Sequence, residues 1–115
     1  MTVFVTLDIF SGRPNPRWAL DSAAASSLSK RLVALVTESG SPAEPPGLGY
    51  RGLLVDSEDG PRIETPIRIY RGTVYRGVAR LADPGRALER WLLATGKDAV
   101  PSEIMAALRA EFEAR

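Results

Sequence analysis

Residues 3–10 alternate strictly, with Val3, Val5, Leu7 and Ile9 set against Phe4, Thr6, Asp8 and Phe10, and prolines follow at positions 14 and 16. A period of two, apolar throughout on one face and mostly apolar on the other, is the pattern of a central strand. Proline cannot donate to a sheet ladder, breaks a helix interior and drives the residue before it into extended backbone. The strand must therefore end before Pro14, and Ser11–Pro16 is a fixed turn. The stretch Leu7–Trp18, LDIFSGRPNPRW, reads as a rigid joint between a strand and a helix. Asp21 or Ser22 caps that helix, expected over about residues 22–38, with Ala24, Ala25, Leu28, Leu32, Leu35 and Val36 on one face. Ser39-Gly40 is its stop.

Gly40–Gly49, GSPAEPPGLG, is rich in proline and glycine and reads as a loop or semi-rigid connector. Tyr50–Asp56 and Arg62–Tyr70 flank the turn Ser57-Glu58-Asp59-Gly60, as in a hairpin. Ile67 and Ile69 are apolar at odd positions but Val74 and Val78 at even ones, so the phase changes at Arg71-Gly72. A two-residue turn pairing Ile69 with Val74 explains this, and so does a bulge at Gly72. Asp83-Pro84 starts a second helix carrying Leu88, Trp91 and Leu92, which Gly96 ends. A third, from Pro101 or Ser102, carries Ile104, Met105, Leu108 and Phe112 at helical spacing. The expectation is one α+β domain over residues 1–115, in the order β-α-β-β(-β)-α-α. It has a small mixed or antiparallel sheet of three or four strands, with three helices mainly on one face.

The chain has 115 residues, 44% hydrophobic and 25% charged, which is enough to bury one core. It contains no cysteine and no histidine, which rules out disulfides, thiolate or imidazole zinc sites, and every Ser-His or Cys-His mechanism. A reducing, cytoplasmic setting fits this composition, and neither a leader-like start nor a membrane-length apolar run is visible. A net charge of +1 neither demands nor forbids a polyanionic partner. No cofactor or metal is expected.

Four constellations could carry chemistry. Gly47-Leu48-Gly49-Tyr50-Arg51-Gly52 matches G-x-G-x-x-G in letters, but a strand follows it where a dinucleotide site needs a helix, so glycines easing a tight approach are favoured. Asp56–Gly60 gathers three carboxylates without EF-hand spacing and reads as a solvated hairpin tip. Thr65–Ala82 holds Arg68, Arg71, Arg76 and Arg80 with Tyr70 and Tyr75 and no acid. With a turn at Arg71-Gly72, Arg68, Tyr70, Thr73 and Tyr75 share a face that could stack bases or hold anions. A solvated face with arginine stems over the tyrosines is the favoured alternative. At the joint, Arg13, Asn15 and Arg17 sit beyond a strand end, where anionic ligands often bind. The structural alternative, which is favoured there, pairs Arg13 with Asp8 or a helix carboxylate, closes an Asx turn with Asn15 and uses Trp18 as a plug.

LDIFSGRPNPRW, LGYRG and DPGRALERWLL together resemble a group of small bacterial proteins. These share an FSGRPNP-x-W start, a central LGY-x-G segment and an LERWLL helix. The resemblance covers Leu7 to Leu93 and brings no activity, cofactor or catalytic residue with it.

The leading expectation is a non-catalytic binding or accessory module engaging a protein or peptide, such as a small subunit accompanying a biosynthetic enzyme. The second is a small enzyme or ligand-binding protein holding an anionic metabolite with Arg13, Asn15 and Arg17. The third, less favoured, is a surface for single-stranded nucleic acid built from Arg68, Tyr70 and Tyr75.

Overall fold

The computed structural model describes residues 2–10, 12–38, 49–57 and 67–113. The Ser39-Gly40 stop, the connector Gly40–Gly49 except its last residue, most of the acidic tip after Asp56 and the first half of the Arg62–Tyr70 strand lie outside the described residues. Six strands form one antiparallel sheet: β1 Val3–Leu7, β2 Arg17–Ala19, β3 Leu53–Ser57, β4 Ile67–Tyr70, β5 Thr73–Arg76 and β6 Ala79–Ala82, in the order β2-β1-β3-β4-β5-β6. The helices are α1 Ser22–Val33, α2 Ala87–Thr95 and α3 Ser102–Glu113, and a 3₁₀ turn, Pro84–Arg86, leads into α2.

The α+β class with three helices stands, but the sheet has six strands where three or four were expected. Both extra strands are too short to show periodicity. The chain beyond β1 does not lead directly to a helix: Arg17–Ala19 returns along β1 as a hairpin partner, with Trp18 opposite Val5. β2 has only three residues, and Trp18 is the one that points inward. β6 doubles back through Gly77-Val78, where Gly77 has φ +59° and Arg76 faces Ala79. At Arg71-Gly72 the chain makes a two-residue turn, with Ile69 opposite Val74 and both turn residues left-handed (φ 49° and 86°). That conformation matches the right-handed twist of the flanking strands.

α1 is capped by Asp21, whose carboxylate accepts the Ala24 N–H at 2.7 Å, and it ends at Val33 instead of residue 38. The following residues are taken by the sheet. Val36 accepts from the Ala82 N–H and the Glu38 N–H donates to Arg80, each at 2.8 Å, while Thr37 bridges Leu81. β-branched Val36 and Thr37 lose little in extended backbone. One sheet edge is therefore covered. At the other, the β1–β2 register leaves only Arg17 and Ala19 with outward backbone groups, beside Pro16.

Val5, Leu7, Leu53, Val55, Ile67, Ile69 and Val74 point to one side and are buried with Leu28, Leu88, Leu92, Leu93, Met105, Leu108 and Phe112 of the helices in one core. The helices thus cover a single face. Trp18 ties the hairpin to the end of α2, donating from Nε1 to Thr95 Oγ1 at 2.8 Å. No described helix is long and apolar enough to cross a membrane.

Candidate functional site

Asp8 lies just past the end of β1, on the side of the sheet away from the helices, and is buried. The approach of β3 brings its partners. The Asp8 N–H donates to Gly52 O (3.0 Å) and the Arg51 N–H to Asp8 O (2.8 Å), which sets Arg51 beside the carboxylate. Oδ1 accepts from Arg51 Nη2 at 2.6 Å and Nε at 3.1 Å, and from Asn15 Nδ2 at 3.3 Å. Oδ2 accepts from Arg68 Nη1 at 2.8 Å. Burial alone would raise this carboxyl, but the hydrogen bonds and charges of Arg51 and Arg68 outweigh it and hold Asp8 below the usual aspartate range.

Beside this cluster runs the uncovered face. Register places Arg17, Thr6, Leu54, Arg68, Tyr75 and Arg80 in one row crossing all six strands, with Ala19, Phe4 and Asp56 in the next. Every one of these is half-buried or exposed, in contrast to the opposite face. The aromatic rings are roofed by cations: Arg17 stands 3.8 Å from the Phe4 ring centre and Arg80 4.7 Å from that of Tyr75. Just beyond β1, Arg13 stands 3.7 Å over Phe10. Stacking on a ring holds a guanidinium in place while its N–H edge stays free to bond.

The residues singled out at the joint do not converge. Asn15 is turned inward, its Oδ1 accepting the N–H groups of Ile9 (3.0 Å) and Phe10 (2.7 Å) while Nδ2 reaches Asp8. Arg13 is exposed on Phe10, and Arg17 is directed to Phe4 and Asp56, 3.5 Å away. In the sheet, Arg68 and Tyr75 are direct cross-strand neighbours. Tyr70 is only 5% exposed and lies against Tyr50, with ring centres 5.8 Å apart.

A second polar cluster is sealed inside. Glu89, fully buried, takes Arg86 Nε and Nη2 in a fork at 2.9 Å each, and accepts from the Tyr50 hydroxyl. Burial and the adjoining Glu89 charge push the Tyr50 phenol far above its ordinary range, so it stays a donor. Asp83 takes the N–H groups of Leu88 (2.8 Å) and Glu89 (3.0 Å), capping α2 across the 3₁₀ turn. Burial raises its carboxyl despite those bonds. Between α2 and α3 a shallow cavity of about 210 Å³ is lined by Leu93, Met105 and Phe112 with Arg90 and Arg109 at its rim. Among the described residues no three acidic side chains gather as metal ligands.

Arg51 escaped the sequence reading because Asp8 lies 43 residues away; Arg86 and Glu89 are spaced as an ordinary surface helix pair, and only the approach of Tyr50, 39 residues away, and the fold around it bury them. The one available signal was Asp8 itself, a carboxylate on the less apolar face of a central strand. No family model, curated protein or solved structure matches this chain.

Proposed function

We propose that this protein is a non-catalytic binding module that engages a protein or peptide on the open face of its sheet. The observation that carries the reading is the row from Arg17 to Arg80, a cationic surface with flanking aromatic rings that spans six strands with no described helix over it. Arginine and tyrosine are the residues around which protein interfaces concentrate their affinity. The groups best suited to acid–base work are meanwhile engaged with one another: Asp8 with Arg51, Arg68 and Asn15, and Glu89 with Arg86 and Tyr50. That also weakens the case for an anionic metabolite at the joint, because Asn15 is turned inward, its oxygen accepting two backbone N–H groups and its amide nitrogen bonded to Asp8. Base stacking is disfavoured in turn, since guanidinium groups already cover Phe4 and Tyr75 and Tyr70 is buried.

A photo-reactive residue placed in source cells at Thr6 or Ala19, on the face, and at Ser26, exposed on α1, tests this. Discrete adducts from positions 6 and 19 and none from 26 are expected. Equal labelling from all three, or none from any, overturns it.

A further inference from the structure

The geometry points to an extended acidic segment of the partner, about eight residues long, lying across the strands as the occupant of this face; this rests on the binding-module reading above. Three arginines share the row. Arg17 and Arg68 are three strands apart, and Arg68 and Arg80 two strands apart. At about 4.8 Å per strand these gaps are about 14 Å and 10 Å, or about 24 Å in all. An extended chain covers that in about seven or eight residues at roughly 3.3 Å each.

Each of the three guanidinium groups is only partly used among the described residues. Arg17 bonds through Nη2 to Asp56, Arg68 through Nη1 to Asp8 and Arg51 O, and Arg80 through Nη1 to the carbonyls of Gly77 and Ala79. The remaining N–H groups suit the planar, two-point bond that a carboxylate accepts. Two of the three are already held over rings, so less side-chain freedom is lost when the partner arrives. Among the described residues, charge on and around the face favours an anion, with Arg13, Arg17, Arg68 and Arg80 set beside the carboxylates of Asp8 and Asp56. That excess also argues against a second copy of this chain. Strand addition is the poorer alternative for a peptide, because Val36–Glu38 covers β6 and β2 offers only Arg17 and Ala19.

The test uses three synthetic octapeptides alternating glutamate, glutamine or lysine with threonine, titrated into the full-length protein at low salt while backbone amide shifts are followed by NMR. The glutamate peptide is expected to shift the amides of Arg17, Leu54, Arg68, Tyr75 and Arg80. It should bind at least about tenfold more tightly than the glutamine peptide and weaken as salt rises. The double variant R17E/R80E should lose about tenfold or more. The milder R17Q/R80Q should lose at least about fivefold, and it guards against a folding defect beside Asp56. R90E/R109E, on the helical side, should stay within about twofold. Equal binding of the glutamate and glutamine peptides overturns the proposal. So does equal loss in R90E/R109E, or a single-stranded oligonucleotide that holds the same arginines more tightly than the acidic peptide. If the peptides fail while adducts at positions 6 and 19 persist, the acidic segment alone is wrong; if both fail, the binding module falls with it.

Discussion

Gly96 lies flat against the indole of Trp18: a methyl group at position 96 would stand 2.4 Å from the ring carbon Cζ2 and 2.5 Å from Cε2. The contact joins the β1–β2 hairpin to the end of α2, 78 positions along the chain. An indole that is 9% exposed and bonded to Thr95 cannot swing aside cheaply. Gly96→Ala is therefore expected to cost about 3 kcal/mol by overpacking. Thr95→Val, which strips the buried indole N–H of its acceptor, should cost about 1–2 kcal/mol. Urea denaturation of the two variants measures both.

Gly52 poses a harder steric problem. Its φ is +104°, and an added Cβ would lie 2.5 Å from the Ile69 carbonyl oxygen, a backbone atom of the neighbouring strand. Left-handed strain and the clash act together, so Gly52→Ala should cost about 3 kcal/mol or more and loosen Arg51 from Asp8. Gly77→Ala also takes a left-handed conformation, but into open space, and should cost only about 1 kcal/mol. Near-equal midpoints for the two variants would refute this account.

Asp8 makes stability depend on pH with a definite sign. Its carboxyl titrates lower in the folded protein than in the unfolded chain, so its contribution is complete above the ordinary value of 3.8 and disappears as pH falls through the folded value. Asp83 is raised by burial and acts in the opposite sense. The difference between the wild type and Asp8→Asn therefore isolates the effect. At pH 7 the variant should be less stable by about 2–3 kcal/mol, because Arg51 and Arg68 then face each other without their shared anion. The gap should close towards pH 2. Denaturation curves between pH 7 and pH 2 check it, and a constant gap would show that Asp8 stays ionised throughout or does not matter electrostatically.

Tyr50 should remain protonated as long as the fold survives. It is one of three tyrosines, and its phenol donates to a buried carboxylate that would repel a phenolate. Absorbance at 295 nm on raising the pH, read as the difference between the wild type and Tyr50→Phe, should show the Tyr50 phenolate appearing only with unfolding. The same variant should lose about 1.5–3 kcal/mol at pH 7, since Glu89 gives up a donor it cannot replace with water.

Several features were readable from local pattern. The alternation through Val3–Leu7, a cap at Asp21 or Ser22, a change of phase at Arg71-Gly72 and the Leu/Met stripe of α3 each follow from neighbours a few positions apart, whereas the choice of turn over bulge at Arg71-Gly72 came from the pairing of Ile69 with Val74. The short strands β2 and β6 were not, because three or four residues contain too little repetition to distinguish from a loop. Nor was the end of α1: Val36 and Thr37 fit a helix by spacing, and only the unfilled edge of β6 draws them into extended backbone.

The same division runs through the candidate site. By itself the sequence determined that no histidine or cysteine chemistry is available, that Pro14 and Pro16 fix the exit from β1, and that arginine and tyrosine concentrate in residues 68–80. Tertiary structure decided what those residues do. Asp8 is paired with Arg51 and Arg68, not with Arg13, because antiparallel pairing of β1 with β3 and of β3 with β4 brings them to one place. The open face exists because all three helices cross the same side of the sheet, leaving a row from Arg17 to Arg80 whose members, Thr6 and Arg80 at the extremes, lie up to 74 positions apart. A carboxylate finds its cation, and a ring its guanidinium, by proximity in space, and spacing along the chain carries no record of that.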